Sequence, residues 1–142
     1  MKWFIIIGFF CMLHGEDYRQ TKPEAWQATT IKDAISKLYG KKIMQSDSRV
    51  YIKAPKLASN GGQVPLRIGT TIDAKSIAIL QDVNPKSLVA VYSVLPYNSP
   101  NYLLKIKLKS VDATIIVVVE GKDGKLYTNS QLVQAERAGC EE

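Results

Sequence analysis

From Ser48 onward no apolar run lasts long enough to build a helix, because turn-prone residues interrupt each one after a few positions. Val50-Tyr51-Ile52-Lys53-Ala54 stops at Pro55, and Asn60-Gly61-Gly62 precedes a second extended run, Val64 to Ile68. Ser76–Leu80, Leu88–Leu95, Tyr102–Leu108, Ala113–Glu120 and Leu126–Val133 follow. Asn84-Pro85, Pro96-Tyr97-Asn98-Ser99-Pro100 and Lys122-Asp123-Gly124 supply turns among them. Seven short strands without intervening helices predict an antiparallel β-sandwich of the immunoglobulin-like type. At 142 residues, 46% of them hydrophobic, the chain has enough material for one such core.

Upstream, Thr30 is placed to cap a helix, with Asp33 three residues on. Ile31, Ala34, Ile35 and Leu38 form one apolar stripe at helical spacing, and Gly40 is placed to end it. Trp26 belongs either to the first turn or to the entry segment. Two strands carry further information. In Leu104-Lys105-Ile106-Lys107-Leu108-Lys109 the lysines share one face, as a solvated charge row or as an anion- or partner-facing stripe. Ile115-Ile116-Val117-Val118-Val119 is apolar on both faces. Its second face needs a cover, either the N-terminal helix or a partner protein.

The N-terminus reads as an export leader. Lys2 precedes the apolar stretch Phe4–Leu13, about ten residues long and too short for a membrane span. Cleavage after Gly15 leaves an exported chain with net charge near +5, because Lys2 goes with the leader. No basic run interleaves with aromatics, so nucleic-acid binding is not indicated. His14, the one histidine, and Cys11 also go, leaving Cys140 as the single cysteine. Ser-His-Asp or Cys-His catalysis and the usual His/Cys metal sites are thereby excluded, and no cofactor is expected in the chain itself.

Cys140 sits in a polar, small-residue tail, Val133-Gln134-Ala135-Glu136-Arg137-Ala138-Gly139-Cys140-Glu141-Glu142. In an oxidising compartment an unpaired cysteine calls for a reactive thiol or an intermolecular bond. The last ten residues, fully extended, reach roughly 30 Å. Glu141 and Glu142 disfavour the thiolate, so activation must come from a partner's positive pocket or metal centre.

Ile52-Lys53-Ala54-Pro55, Ala58-Ser59-Asn60-Gly61, Val64-Pro65, Asn84-Pro85 and the closing Gly139-Cys140 occur in an order that resembles the SoxY family, from about Ile31 onward. SoxY is the sulfur-carrier subunit of the periplasmic sulfur-oxidation (Sox) system. The resemblance implies an immunoglobulin-like sandwich paired with a SoxZ-like subunit. It implies Cys140 as the covalent sulfur attachment point on a swinging arm, with Gly139 and Ala138 lending flexibility. It also implies that a SoxAX-like c-type cytochrome conjugates thiosulfate to the thiol and that a SoxB-like dimanganese hydrolase then releases sulfate. The family's usual tip is Gly-Gly-Cys-Gly-Gly; here Ala138, Glu141 and Glu142 replace glycines and stiffen it. Related proteins whose arm ends Ala-Ala-Cys-Ile-Glu are similar to this tip.

The expected organisation is therefore a leader (1–15), a lead-in and helix (16–47), a sandwich (48–133) and a cysteine arm (134–142). The expected role is a carrier of inorganic sulfur, not an enzyme. The competing expectation is an exported immunoglobulin-like interaction module whose cysteine only cross-links two chains.

Overall fold

The computed structural model describes residues 15–109 and 112–136. The leader segment 1–14 and the arm residues 137–142, including Ala138, Gly139 and Cys140, lie outside the described residues. Three short helical pieces come first: α1 (Tyr18–Thr21), a 3-10 turn (Pro23–Gln27) and α2 (Ile31–Tyr39). Nine strands follow: β1 (Met44–Ser46), β2 (Val50–Lys53), β3 (Leu57–Ala58), β4 (Val64–Thr70), β5 (Ala74–Gln81), β6 (Leu88–Ser93), β7 (Asn101–Ile106), β8 (Asp112–Gly121) and β9 (Leu126–Ala135).

The strands form two sheets. One has the order β1-β9-β8-β5-β6, with β3 also paired to β9; the other has the order β2-β4-β7. All seven strands expected from the residue pattern are present, and their mutual pairings are antiparallel. Two additional short strands, β1 and β3, join β9 in parallel. Neither had a readable signature, because three and two residues are too few to establish a period.

The alternation of β4 explains how the sheets meet. Val64, Leu66 and Ile68 are fully buried, whereas Pro65 and Arg67 face outward. The inner residues join Ile77, Ile79, Ile115, Val117 and Val119 in one core between the sheets. The other face of the larger sheet carries Ala78, Leu80 and Val118, and these pack against Ala25, Ala34, Leu38 and Tyr39. The second apolar face of β8 is thus covered by the chain's own N-terminal segment.

The caps of α2 follow its sequence. The Thr30 hydroxyl accepts the Asp33 backbone N–H at 3.2 Å, and Gly40 closes the helix at φ 73°. Trp26 lies in the 3-10 turn, donates its indole N–H to the Tyr18 carbonyl at 3.0 Å and stacks beneath Arg19. It therefore belongs to the entry segment. Under the helices a polar cluster anchors the cover: Tyr39 Oη meets Ser76 Oγ at 3.0 Å, and Lys42 Nζ pairs with nearly buried Glu120 at 2.6 Å. Burial pushes the Tyr18 hydroxyl up to about 12, and burial raises Tyr39 as well.

Candidate functional site: the root of the cysteine arm

β9 carries the chain toward Cys140, and its last pairings bring the described structure to within a few residues of it in sequence. Gln134 and Ala135, expected as the first arm residues, are the last residues of β9. Gln134 stands opposite Asp112 of β8 and Leu57 of β3, and Ala135 stands opposite Ala58. Val133 and Ala135 are buried, and this inward alternation holds the strand down past the point where the sequence turns polar.

The next residue is also tied. Glu136 donates its N–H to the Ala58 carbonyl at 2.8 Å and accepts the Gly61 N–H at 3.1 Å. Gly61 in turn accepts the Leu108 N–H at 2.8 Å. A Cβ on Gly61 would lie 3.0 Å from the Leu108 carbonyl oxygen and 3.3 Å from that of Glu136, a tight fit in which these backbone carbonyls would have to give. Asn60 shapes the turn by accepting the Gly62 N–H on its side chain at 2.8 Å. Asn84 completes the root: its side chain donates to the Lys107 carbonyl at 2.7 Å and accepts the Lys109 N–H at 2.8 Å.

The segments that carry the family resemblance therefore converge on one place. Ala58 ends β3, Gly61 opens the turn after it and Asn84 lies between β5 and β6; the first two hold Glu136 directly, and Asn84 holds the segment whose Leu108 bonds Gly61. Gln131 fastens a further segment, donating to the Ala54 carbonyl at 2.9 Å. The sequence pattern marked these residues without revealing this role. An Asn-Gly or Asn-Pro pair announces a turn and not the strand that the turn will hold.

The root also positions charge. Asn84 holds Lys107-Leu108-Lys109 with Leu108 buried, so both lysines are exposed beside the arm. Strand β7 ends at Ile106, two residues earlier than expected, but the alternation persists through this side-chain clamp. Glu136 is the last described residue, and Cys140 is four residues further along the sequence, at most roughly 13 Å of chain. Among the described residues, no group of histidine, cysteine and carboxylate side chains is arranged to hold a metal. Among them also, no helix is long and apolar enough to cross a membrane.

The architecture defines a small β-sandwich protein, and the cysteine expected to carry chemistry follows its last strand in sequence. Comparison with known proteins makes the class specific. A family model described as sulfur oxidation protein SoxY matches residues 35–140. The solved structure titled as the sulfur carrier protein SoxY from Chlorobium limicola f thiosulfatophilum superposes with a TM-score of 0.68. That match has 33% sequence identity and covers 75% of this chain and 96% of the other. The chain belongs to the SoxY family. A SoxY protein is a sulfur carrier and not an enzyme in its own right. A superoxide reductase (neelaredoxin) from Ignicoccus hospitalis matches with a TM-score of 0.54 at 14% identity, covering 61% of this chain and 80% of that one. At that identity the likeness concerns the fold alone. No curated protein matches the chain.

Proposed function

We propose that this chain is an exported, periplasmic carrier that holds sulfur intermediates covalently on Cys140 and presents them to Sox enzymes. The observation that carries the reading is the extent of the family match, which runs from Ile35 through the whole sandwich and includes Cys140. The clasp at Glu136 supports it, because a carrier needs a short tether on a rigid base.

The chemistry divides between the arm and its partners. The Cys140 thiolate forms an S–S bond to the outer sulfur of thiosulfate, and two electrons leave to a haem acceptor of a SoxAX-like cytochrome. The product is an S-thiosulfonate. A SoxB-like hydrolase adds water across the bond to the terminal sulfonate, releasing sulfate and two protons and leaving a persulfide on Cys140. The chain contributes the sulfur nucleophile, its tether and a docking body. A SoxZ-like subunit completes the carrier, and the chain itself is expected to bind neither nucleic acid nor a cofactor. Glu141 and Glu142 lower the thiolate fraction of the free arm. Reaction is thereby biased toward partners that supply positive charge.

Replacing Cys140 by serine tests the reading. The substitution is expected to abolish thiosulfate oxidation in a system reconstituted with the Sox enzymes, while the melting curve stays unchanged. Full activity of Cys140→Ser contradicts it. Activity that survives thiol blocking, together with a disulfide-linked dimer, supports the alternative, an exported interaction module that uses the cysteine only as a cross-link.

A further inference from the structure

The sandwich has two outer faces, and one of them is left uncovered by the described residues. On the three-stranded sheet the outward residues are Tyr51 and Lys53 of β2, Pro65 and Arg67 of β4, and Leu103 and Lys105 of β7. Lys53 stands directly opposite Arg67, and Lys105 opposite Pro65. Like charges set opposite one another destabilise a sheet. The sequences of these three strands contain no aspartate or glutamate. Among the described residues none of the three cations forms an ion pair; Lys105 reaches only the Gln63 side-chain oxygen, at 3.4 Å.

Between the cations lies an apolar floor. Leu103 is 71% exposed and borders a shallow groove of about 550 Å³ that also includes Lys53, Pro65 and Arg67. The Tyr51 ring lies over Gly69, where a Cβ would collide with it, so the backbone there is shaped to seat the ring. A face kept only for solubility has no use for an exposed leucine and proline between opposed cations. A second copy of this chain is a poor occupant, because a two-fold contact would set these cations against themselves. The face is continuous with the arm root through β7, which runs from Leu103 to the segment held by Asn84.

We propose that this face docks an acidic surface of a partner protein, and that it is the side from which the enzymes that handle the Cys140 cargo approach. The proposal deepens the carrier reading and rests on it for the identity of the cargo. Opposite charge steers the encounter, and Leu103 with Pro65 gives the complex a desolvated centre.

The test uses the full exported chain, isotope-labelled and titrated with a glutamate homopeptide while backbone amide shifts are followed. Shifts are expected to concentrate at Lys53, Arg67, Leu103 and Lys105. The variant K53E/R67E/K105E should weaken binding by about tenfold or more. Leu103→Ala should weaken it by about threefold, which charge alone does not predict. If the triple variant fails to fold, the single variants K105E and Leu103→Ala carry the same comparison. Equal shifts at the lysines of the helical side, or unchanged affinity in the variants, overturn the proposal. So does tighter binding of heparin or single-stranded DNA at the same residues, which marks a general polyanion surface. Loading of Cys140 by tetrathionate is a separate readout: the thiolate displaces thiosulfate and keeps the remaining two-sulfur fragment through a new S–S bond. Loading should be the same in all variants, and its failure counts against the carrier reading and not against the face.

Discussion

Beneath α2 the outer face of the six-stranded sheet carries Ala78, Leu80 and Val118, all fully buried. The outer face of the three-stranded sheet carries Lys53, Arg67, Lys105 and an exposed Leu103, with no element over it among the described residues. The first face is closed by the protein's own helices, and its residues are apolar because no water reaches them. The second is left for something outside the chain, and its charges would be a needless cost if nothing met them. Stability is thereby assigned to one side of the sandwich and the proposed recognition to the other.

The strongest way to break that division is to cut into the covered face. Leu38→Ala should cost about 2–5 kcal/mol in denaturant unfolding, since Leu38 is only 3% exposed. Leu103→Ala on the open face should change stability by no more than about 0.5 kcal/mol. Equal costs at the two sites would mean that the faces are not divided in this way. Next in size is Gly61→Ala, which forces a methyl group against the Leu108 and Glu136 carbonyls. It should cost about 1–3 kcal/mol, and hydrogen exchange should accelerate at the Glu136 and Leu108 amides before the rest of the sandwich.

The covered face should also have its own alkaline limit. Burial raises the Tyr18 hydroxyl from 10.0 to about 12, so the folded chain keeps a proton that the unfolded chain releases first. The contribution is fully present below pH 10.0, declines as pH rises above it and is gone once pH passes about 12. Tyr18→Phe should flatten that part of the stability profile, whereas charge reversals on the open face should not. Smaller than the loss at Gly61 is that expected for Asn84→Ala, about 1 kcal/mol, with its clearest signature in faster exchange at Lys109.

Most of the fold was legible because it is local. The strand pattern, the Thr30 and Gly40 ends of α2 and the two-sided apolar run of β8 all leave marks within a few residues. The pieces that were not legible are held by distant partners. β1 and β3 exist because β9 offers them an edge, and α1 with the 3-10 turn exists because Tyr18 and Ala25 find the sheet. The start of the arm was misplaced for the same reason: Gln134 and Glu136 look like a polar tail, and only the Lys56, Ala58 and Gly61 backbone shows that they are bound. Cys140 stands out by elimination on the expectation that a leader carries Cys11 and His14 away, and it lies outside the described residues. The clasp at Glu136 was not legible.

The measurement that bears most directly on the carrier role is the intact mass of the exported chain isolated from cells oxidising thiosulfate, taken before and after reductant. A sulfur adduct confined to the C-terminal peptide, removed by reductant and absent from Cys140→Ser, is the predicted result. A Cys140 that carries no adduct in cells actively oxidising thiosulfate would contradict it.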